Sequence, residues 1–306
     1  MVLINTRFKL YCLIVTIAAS IGFVAVKGGI FAILHGFNYR IYGPPNTQFE
    51  ENNAFAVAML ISIPLLLIWQ KETLNSWIKK SILISIPVIY AASLSSWSRG
   101  ALLTMIALTF MLIFKSKRKY LAIPLVIVGT FAVKDFLPEK WFGRMNTLET
   151  YDQDQSAMGR IEAWTDGWNH TLDHPFVGSG FEGWRYVTMR DWHSSYVEMF
   201  SEHGFIAFGL WLSLILGTVI SLTNLPKKTR NIEGMEWVAN YCFNIRASLI
   251  CYMVGTAFLG LSYWDLLYHL IFIAVLVKKF ALEELAVKQA AVTKPRWAKD
   301  KLINSI

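Results

Sequence analysis

The chain has 306 residues, 55% of them hydrophobic and only 16% charged, with a mean hydropathy of +0.42. A soluble domain carries about 25% charged residues, so these figures exclude a water-soluble globule and point to apolar runs near the ~20 residues that cross a bilayer. The formal charge of +8 is concentrated in short loops between those runs; that pattern orients a membrane protein and argues against a nucleic-acid partner.

The spacing predicts an all-α, polytopic membrane helix bundle of about eight helices, with one long extracytoplasmic loop domain that contains short helices. The first helix is expected near Leu10–Leu34, after Arg7 and Lys9. Ala18, Ala19 and Ser20 offer a weak cleavage site, but the apolar patch Ile30–Leu34 beyond Lys27, Gly28 and Gly29 favours an uncleaved helix. The second is expected near Asn53–Trp69, the third near Ser81–Leu94, the fourth near Gly100–Phe114 and the fifth over Tyr120–Val133. A loop from Lys134 to His203 follows. The sixth helix is expected near Gly204–Leu222, the seventh near Tyr241–Leu259 and the eighth near Asp265–Val277. Several runs are short, so some helices should be tilted, broken or only partly spanning. The resulting division is 1–133 for helices one to five, 134–203 for the loop, 204–280 for the last three helices and 281–306 for a basic cytoplasmic tail.

Alternate connections carry the positive charge. Lys71, Lys79 and Lys80 follow the second helix; Lys115, Lys117, Arg118 and Lys119 the fourth; Lys227, Lys228 and Arg230 the sixth; and Lys278 and Lys279 the eighth, with a tail basic through Lys301. Parity then puts both termini in the cytoplasm and the long loop on the far side. Cys12, Cys242 and Cys251 all fall in expected spans, and none has a disulfide-framework or zinc spacing.

The loop is not a linker, because five tryptophans (Trp141, Trp164, Trp168, Trp184 and Trp192) need surfaces to pack on. Gly159–Leu172 reads as a helix with Arg160, Trp164 and Trp168 on one face. His174–Trp184 is turn-rich, with Gly178, Gly180 and Gly183 permitting a tight turn. Ser195 and Glu198 have the spacing of a capping box, and Asn52 and Asn53 read as caps of the second helix.

Three features share the far side. Arg99 ends the Ser98-Arg99-Gly100 turn, Arg160 opens the loop helix, and His193 precedes the helix that re-enters the membrane. Arginine donates paired hydrogen bonds to phosphate and never deprotonates. Histidine titrates near neutrality and accepts a hydroxyl proton. The set suits transfer of a group from a lipid pyrophosphate to an alcohol. The bland alternatives are a snorkelling anchor for Arg99, a solvated helix residue for Arg160 and an ordinary loop histidine for His193. Lys27 is either a functional intramembrane charge or an interfacial lysine. Trp164 and Trp168 are possible sugar platforms, though belt residues are the commoner use of tryptophan at a membrane.

SRGALL at Ser98–Leu103, the Arg160 helix, HPFVGSGF from His174 and HSSYVEMFSEHG from His193 together resemble the O-antigen ligase and polymerase superfamily. VKGG at Val26–Gly29 and GPPNTQFEENNAFAVAM at Gly43–Met59 look closest to its O-glycosylation ligase branch. Family members usually carry more N-terminal helices, so the resemblance implies a copy that begins late. It also implies inverting transfer of a glycan from undecaprenyl pyrophosphate to a hydroxyl on lipid, protein or another glycan, with no cofactor and no metal. Arg99 and Arg160 would hold the pyrophosphate and His193 would activate the acceptor. The setting implied is the bacterial inner membrane, multi-pass, with the site facing the periplasm. The rivals are a polysaccharide polymerase of the same superfamily, a polysaccharide transporter, and an inactive fragment.

Overall fold

The computed structural model describes residues 3–116, 120, 123–124, 134–146 and 155–293. The expected fifth helix over Tyr120–Val133 lies almost wholly outside the described residues, as do Lys117, Arg118, Lys119 and the tail from 294 to 306. The described residues are all-α, with ten helices and no strand. They are α1 (Arg7–Leu34), α2 (Asn52–Glu72), α3 (Ser76–Leu94), α4 (Arg99–Lys115), α5 (Glu139–Asn146), α6 (Gln155–Asp173), α7 (Trp184–Val187), α8 (Ser195–Thr229), α9 (Glu236–Gly255) and α10 (Asp265–Thr293). A 3₁₀ turn, Thr256–Phe258, follows α9.

Four of these are long and apolar enough to cross a membrane: α1, α2, α3 and α8. Of the eight spans expected, these four meet that measure among the described residues, and the fifth lies almost wholly outside them. Hydrophobic runs mark helices, but α4 has only 17 residues, and α9 and α10 fall short of the required composition. Those three still pack into the same bundle. The chain is a membrane protein with multiple candidate transmembrane helices.

α2 is the centre. Ala54–Leu66 is buried at every position, and its sequence is apolar on all sides rather than on one stripe. A helix of that kind must be surrounded, and α1, α3, α4 and α9 surround it. Ser248 on α9 donates its hydroxyl to the Ile61 carbonyl of α2 (2.9 Å), a buried bond between the two helices. α1 meets α3 closely at Gly29, where a Cβ would stand 2.1 Å from the Val88 carbonyl oxygen. The glycines beside Lys27 therefore serve helix packing. Lys27 itself is exposed on α1.

The bundle has two distinct ends. At the basic end the start of α1, the end of α2 and the start of α9 meet, with Arg7, Glu72 and Trp237 in contact. At the other, the loop end, the α1–α2 and α3–α4 connections are stitched together. The Ile41 N–H donates to the Ser95 carbonyl (3.2 Å), Ser95 Oγ to the Tyr39 carbonyl (2.7 Å) and Asn52 Nδ2 to the Ser96 carbonyl (2.7 Å). Asn52 thus bridges two connections. The residue that caps α2 is Glu51, with no side-chain cap bond, so the asparagine caps expected there do not form.

α6 lies across the loop end. Its Trp164 indole donates to the Trp192 carbonyl (2.7 Å) and packs near Phe258, while Trp168 meets Phe200 and Phe205 edge-on. The most buried stripe of α6 is Gly159, Ala163, Gly167 and Thr171, one position from the Arg160, Trp164 and Trp168 face, on which Trp168 stays 48% exposed. α8 is broken at Gly204, whose φ of 75° belongs to the left-handed region. A Cβ there would also sit 2.5 Å from the Pro175 carbonyl oxygen. α10 runs on to Thr293, so residues 281–293 continue the eighth helix.

Candidate functional site

At the loop end, Arg99, Arg144 and Arg160 line one pocket with Asn53, Ser98, Gly100, Phe258 and Leu259. The cavity between them is small, about 20 Å³. Two helix N-termini point into this region: α4 begins at Arg99, and Asn53 is the second residue of α2. Ser98 caps α4 by accepting from the Ala101 N–H (3.2 Å). The partial positive charge of a helix N-terminus adds to that of the guanidinium groups, and such termini are ready anion sites.

Local structure explains how each arginine arrives. Trp97, just before the Ser98 cap, has φ 58°, a strained value for a bulky residue. Its indole donates to the Phe37 carbonyl (3.2 Å), Arg40 lies over its ring, and its own carbonyl accepts from Arg144 Nε (3.0 Å). The short α5 is held by the same connection, because the Trp141 indole donates to the Leu94 carbonyl (3.2 Å). Arg144 was not singled out in the sequence, although the signal was available: it is an arginine on the side where positive charge is disfavoured, beside a tryptophan that must pack. Arg160 is carried by α6, whose neighbouring turn is fixed by Trp164.

His193 does not line the pocket. It stands on the adjoining connection, with φ 47°. Its N–H donates to Asp191 Oδ1 (3.1 Å), and its Nδ1 lies 3.6 Å from Asp191 Oδ2, both side chains half exposed. Two residues on, Ser195 Oγ donates to the carbonyl of the pocket residue Leu259 (3.0 Å) and accepts from the Leu261 N–H (2.8 Å). The sequence expects Ser195 and Glu198 to form a capping box. Instead both side chains reach the α9–α10 connection, where Glu198 accepts from the Ser262 N–H (2.9 Å) and hydroxyl (2.5 Å). A capping spacing says nothing about a partner 64 residues away, and here the partner is tertiary.

A buried polar layer supports the histidine segment. Trp192 is fully buried, and its indole donates to Glu202 (3.1 Å). Tyr263 donates its hydroxyl to the other oxygen of Glu202 and lies 2.7 Å from His203 Nε2. Burial first, then the adjoining Glu202, push the Tyr263 hydroxyl well above the usual tyrosine range. It therefore stays protonated and keeps donating to the carboxylate.

Lys27 is not in the pocket lining, and neither are Trp164 and Trp168; the tryptophans pack as described above. Among the described residues, no three His, Cys, Asp or Glu side chains gather in a way that could hold a metal ion. Arg246 and Asp265 do not pair: Arg246 donates to Thr223 (2.9 Å), and Asp265 meets Gln48 (3.3 Å) at the loop end.

No curated protein matches the chain. Residues 89–212 match the family model described as O-Antigen ligase. That stretch is less than half of the chain and leaves out Val26–Gly29 and Gly43–Met59, the segments that suggested a particular branch. It contains Arg99, Arg144, Arg160 and His193 together. Over residues 89–212 the chain is similar to the O-antigen ligase family.

Proposed function

We propose that the protein is a membrane glycosyltransferase of the O-antigen ligase type, acting at the periplasmic face of a bacterial inner membrane. It moves a glycan from undecaprenyl pyrophosphate to an acceptor hydroxyl on a lipid or protein, with inversion and without a metal. The observation that carries this reading is the convergence of Arg99, Arg144 and Arg160 on one pocket beside two helix N-termini. In the proposed step the acceptor oxygen attacks the anomeric carbon. The bond from that carbon to the pyrophosphate oxygen breaks, and undecaprenyl pyrophosphate leaves with the electron pair. The acceptor proton passes to His193. A pyrophosphate is already a good leaving group, so meeting its developing charge matters more than protonating it. Asp191, within reach of the Nδ1 edge, leaves Nε2 as the nitrogen for the acceptor.

The branch assignment to O-glycosylation ligases belongs to the same proposal and rests on the segments at 26–29 and 43–59. A polymerase would use the same pocket with a second lipid-linked glycan as acceptor. The test is glycan transfer in membranes of a host lacking its own copy, with Arg160→Gln and His193→Ala compared at equal protein level. Both should lose transfer. Wild-type rates from either would reject its assigned role. On gels, polymer left unattached in the variants supports ligation, whereas single attached repeats support polymerisation.

A further inference from the structure

We infer that the His174–Met189 segment is an interfacial anchor, lying in the headgroup layer of the leaflet on the loop side and binding phospholipid. Phe176 (71% exposed), Val177 (70%), Phe181 (66%), Tyr186 (88%) and Met189 (79%) present their side chains outward from this one segment. Isolated exposed apolar residues are ordinary, but a contiguous set marks an interaction surface.

The partner is identified by where the backbone pins the segment. The Ser179 N–H donates to the Ser201 carbonyl (2.9 Å), and the Gly180 N–H to the Glu202 carbonyl (2.9 Å). The Phe205 N–H donates to the Pro175 carbonyl (2.8 Å). These bonds straddle Gly204, the break from which the long apolar stretch of α8 begins. Past it, Ile206 and Leu210 are 58% and 67% exposed on that apolar helix, the surface that faces lipid. The backbone bonds therefore seat the segment against the start of that apolar stretch. Phe181 also rests on Tyr263, in the connection between α9 and α10 (ring centroids 4.9 Å). Within the segment Glu182 pairs with Arg185 (2.8 Å), and just beyond it Arg190 lies 3.8 Å from Glu162 of α6. Aromatic rings beside satisfied charges are the composition of a membrane interface.

Anchoring this segment fixes one end of α6. The helix rises about 1.5 Å per residue, so Arg160 lies about 20 Å along it from the anchored end. α6 is then held along the membrane surface with the arginine pocket at headgroup level. The inference concerns the position of the loop and stands whether or not the proposed reaction is correct.

Single cysteines at Val177, Phe181 and Thr165, each carrying a nitroxide, test it in the full chain. Thr165 is an exposed position on α6 and serves as the water-facing control. The exposed Cys12 is first changed to Ser, while Cys242 and Cys251 are buried from the reagent. In phosphatidylethanolamine–phosphatidylglycerol vesicles, the ratio of collisions with oxygen to collisions with a water-soluble nickel chelate should be several-fold higher at 177 and 181 than at 165. Equal ratios at all three positions overturn the proposal and leave the face to a soluble partner. Dipolar broadening between labels at 181 also overturns it, because a second copy then covers the patch.

Discussion

The two ends of the bundle treat arginine differently. At the basic end Arg7 meets Glu72 (3.1 Å) and lies over the Trp237 ring (4.5 Å), so its charge is matched locally and remains near water. At the loop end three arginines share one lining, with strained backbone at Trp97 beside it and at His193 on the next connection. Strain of this kind costs roughly 1–3 kcal/mol per residue and persists only where the surroundings enforce it. Orientation in the membrane explains arginine at the basic end. It does not explain three of them at the opposite end, where the same rule disfavours positive charge. The difference separates charge that orients the protein from charge gathered for a ligand.

Arg144 gives the sharpest test of that division, because it lines the pocket and its Nε also holds the Trp97 carbonyl, so a loss of transfer must be separated from a loss of fold. Losing one preorganised donor to a developing anion costs roughly 100-fold in rate. Arg144→Gln should therefore lower transfer by about 100-fold with the folded protein still recovered in normal amount. Arg144→Lys should restore part of the loss, since it keeps the charge but not the fork. Full activity in Arg144→Gln would reduce the pocket to a structural feature.

The buried layer behind His193 should show a mixed effect. Glu202 accepts from both Trp192 and Tyr263 in a site with almost no solvent access. Glu202→Ala leaves the buried Trp192 indole without its acceptor, while Tyr263 keeps His203 Nε2 within 2.7 Å, and a buried orphan costs about 1–3 kcal/mol. Thermal stability in detergent should fall. Transfer per folded molecule should fall as well, because Trp192 precedes His193 and its carbonyl holds Trp164. An unchanged melting profile would show that the carboxylate is not what fixes this layer.

Much of this was legible before any coordinates. Arg99 and Arg160, singled out from the sequence, both line the pocket, whereas the Arg160, Trp164, Trp168 spacing does not mark the most buried face of α6, which is Gly159, Ala163, Gly167 and Thr171. Short-range patterns fail where a side chain has a distant partner. Asn52 and Asn53 read as caps, yet one bridges to Ser96 and the other lines the pocket. Ser195 and Glu198 read as a capping box, yet both hold the α9–α10 connection. The apolar runs locate seven of the eight expected helices among the described residues, but they end the last one early. Its charged continuation, from Lys278 onward, stays helical to Thr293. Hydropathy measures burial in lipid, whereas helix length follows backbone bonding and packing.

The smallest effect is expected at the basic end, and it completes the comparison. Arg7 is 40% exposed and Glu72 24% exposed, so solvent screens their attraction. An exposed ion pair is worth about 0–1 kcal/mol, and a ring contact at such a site adds roughly 0.5 kcal/mol. Arg7→Met keeps the aliphatic length beside the Trp237 ring. Stability should shift by less than about 1 kcal/mol, and the difference from wild type should shrink further in high salt. Transfer should match wild type, because a single matched cation at this end takes no part in holding the pyrophosphate. If Arg7→Met lost transfer as Arg144→Gln is expected to, the two ends would share one function, and the pocket at the loop end would lose its claim to be the site.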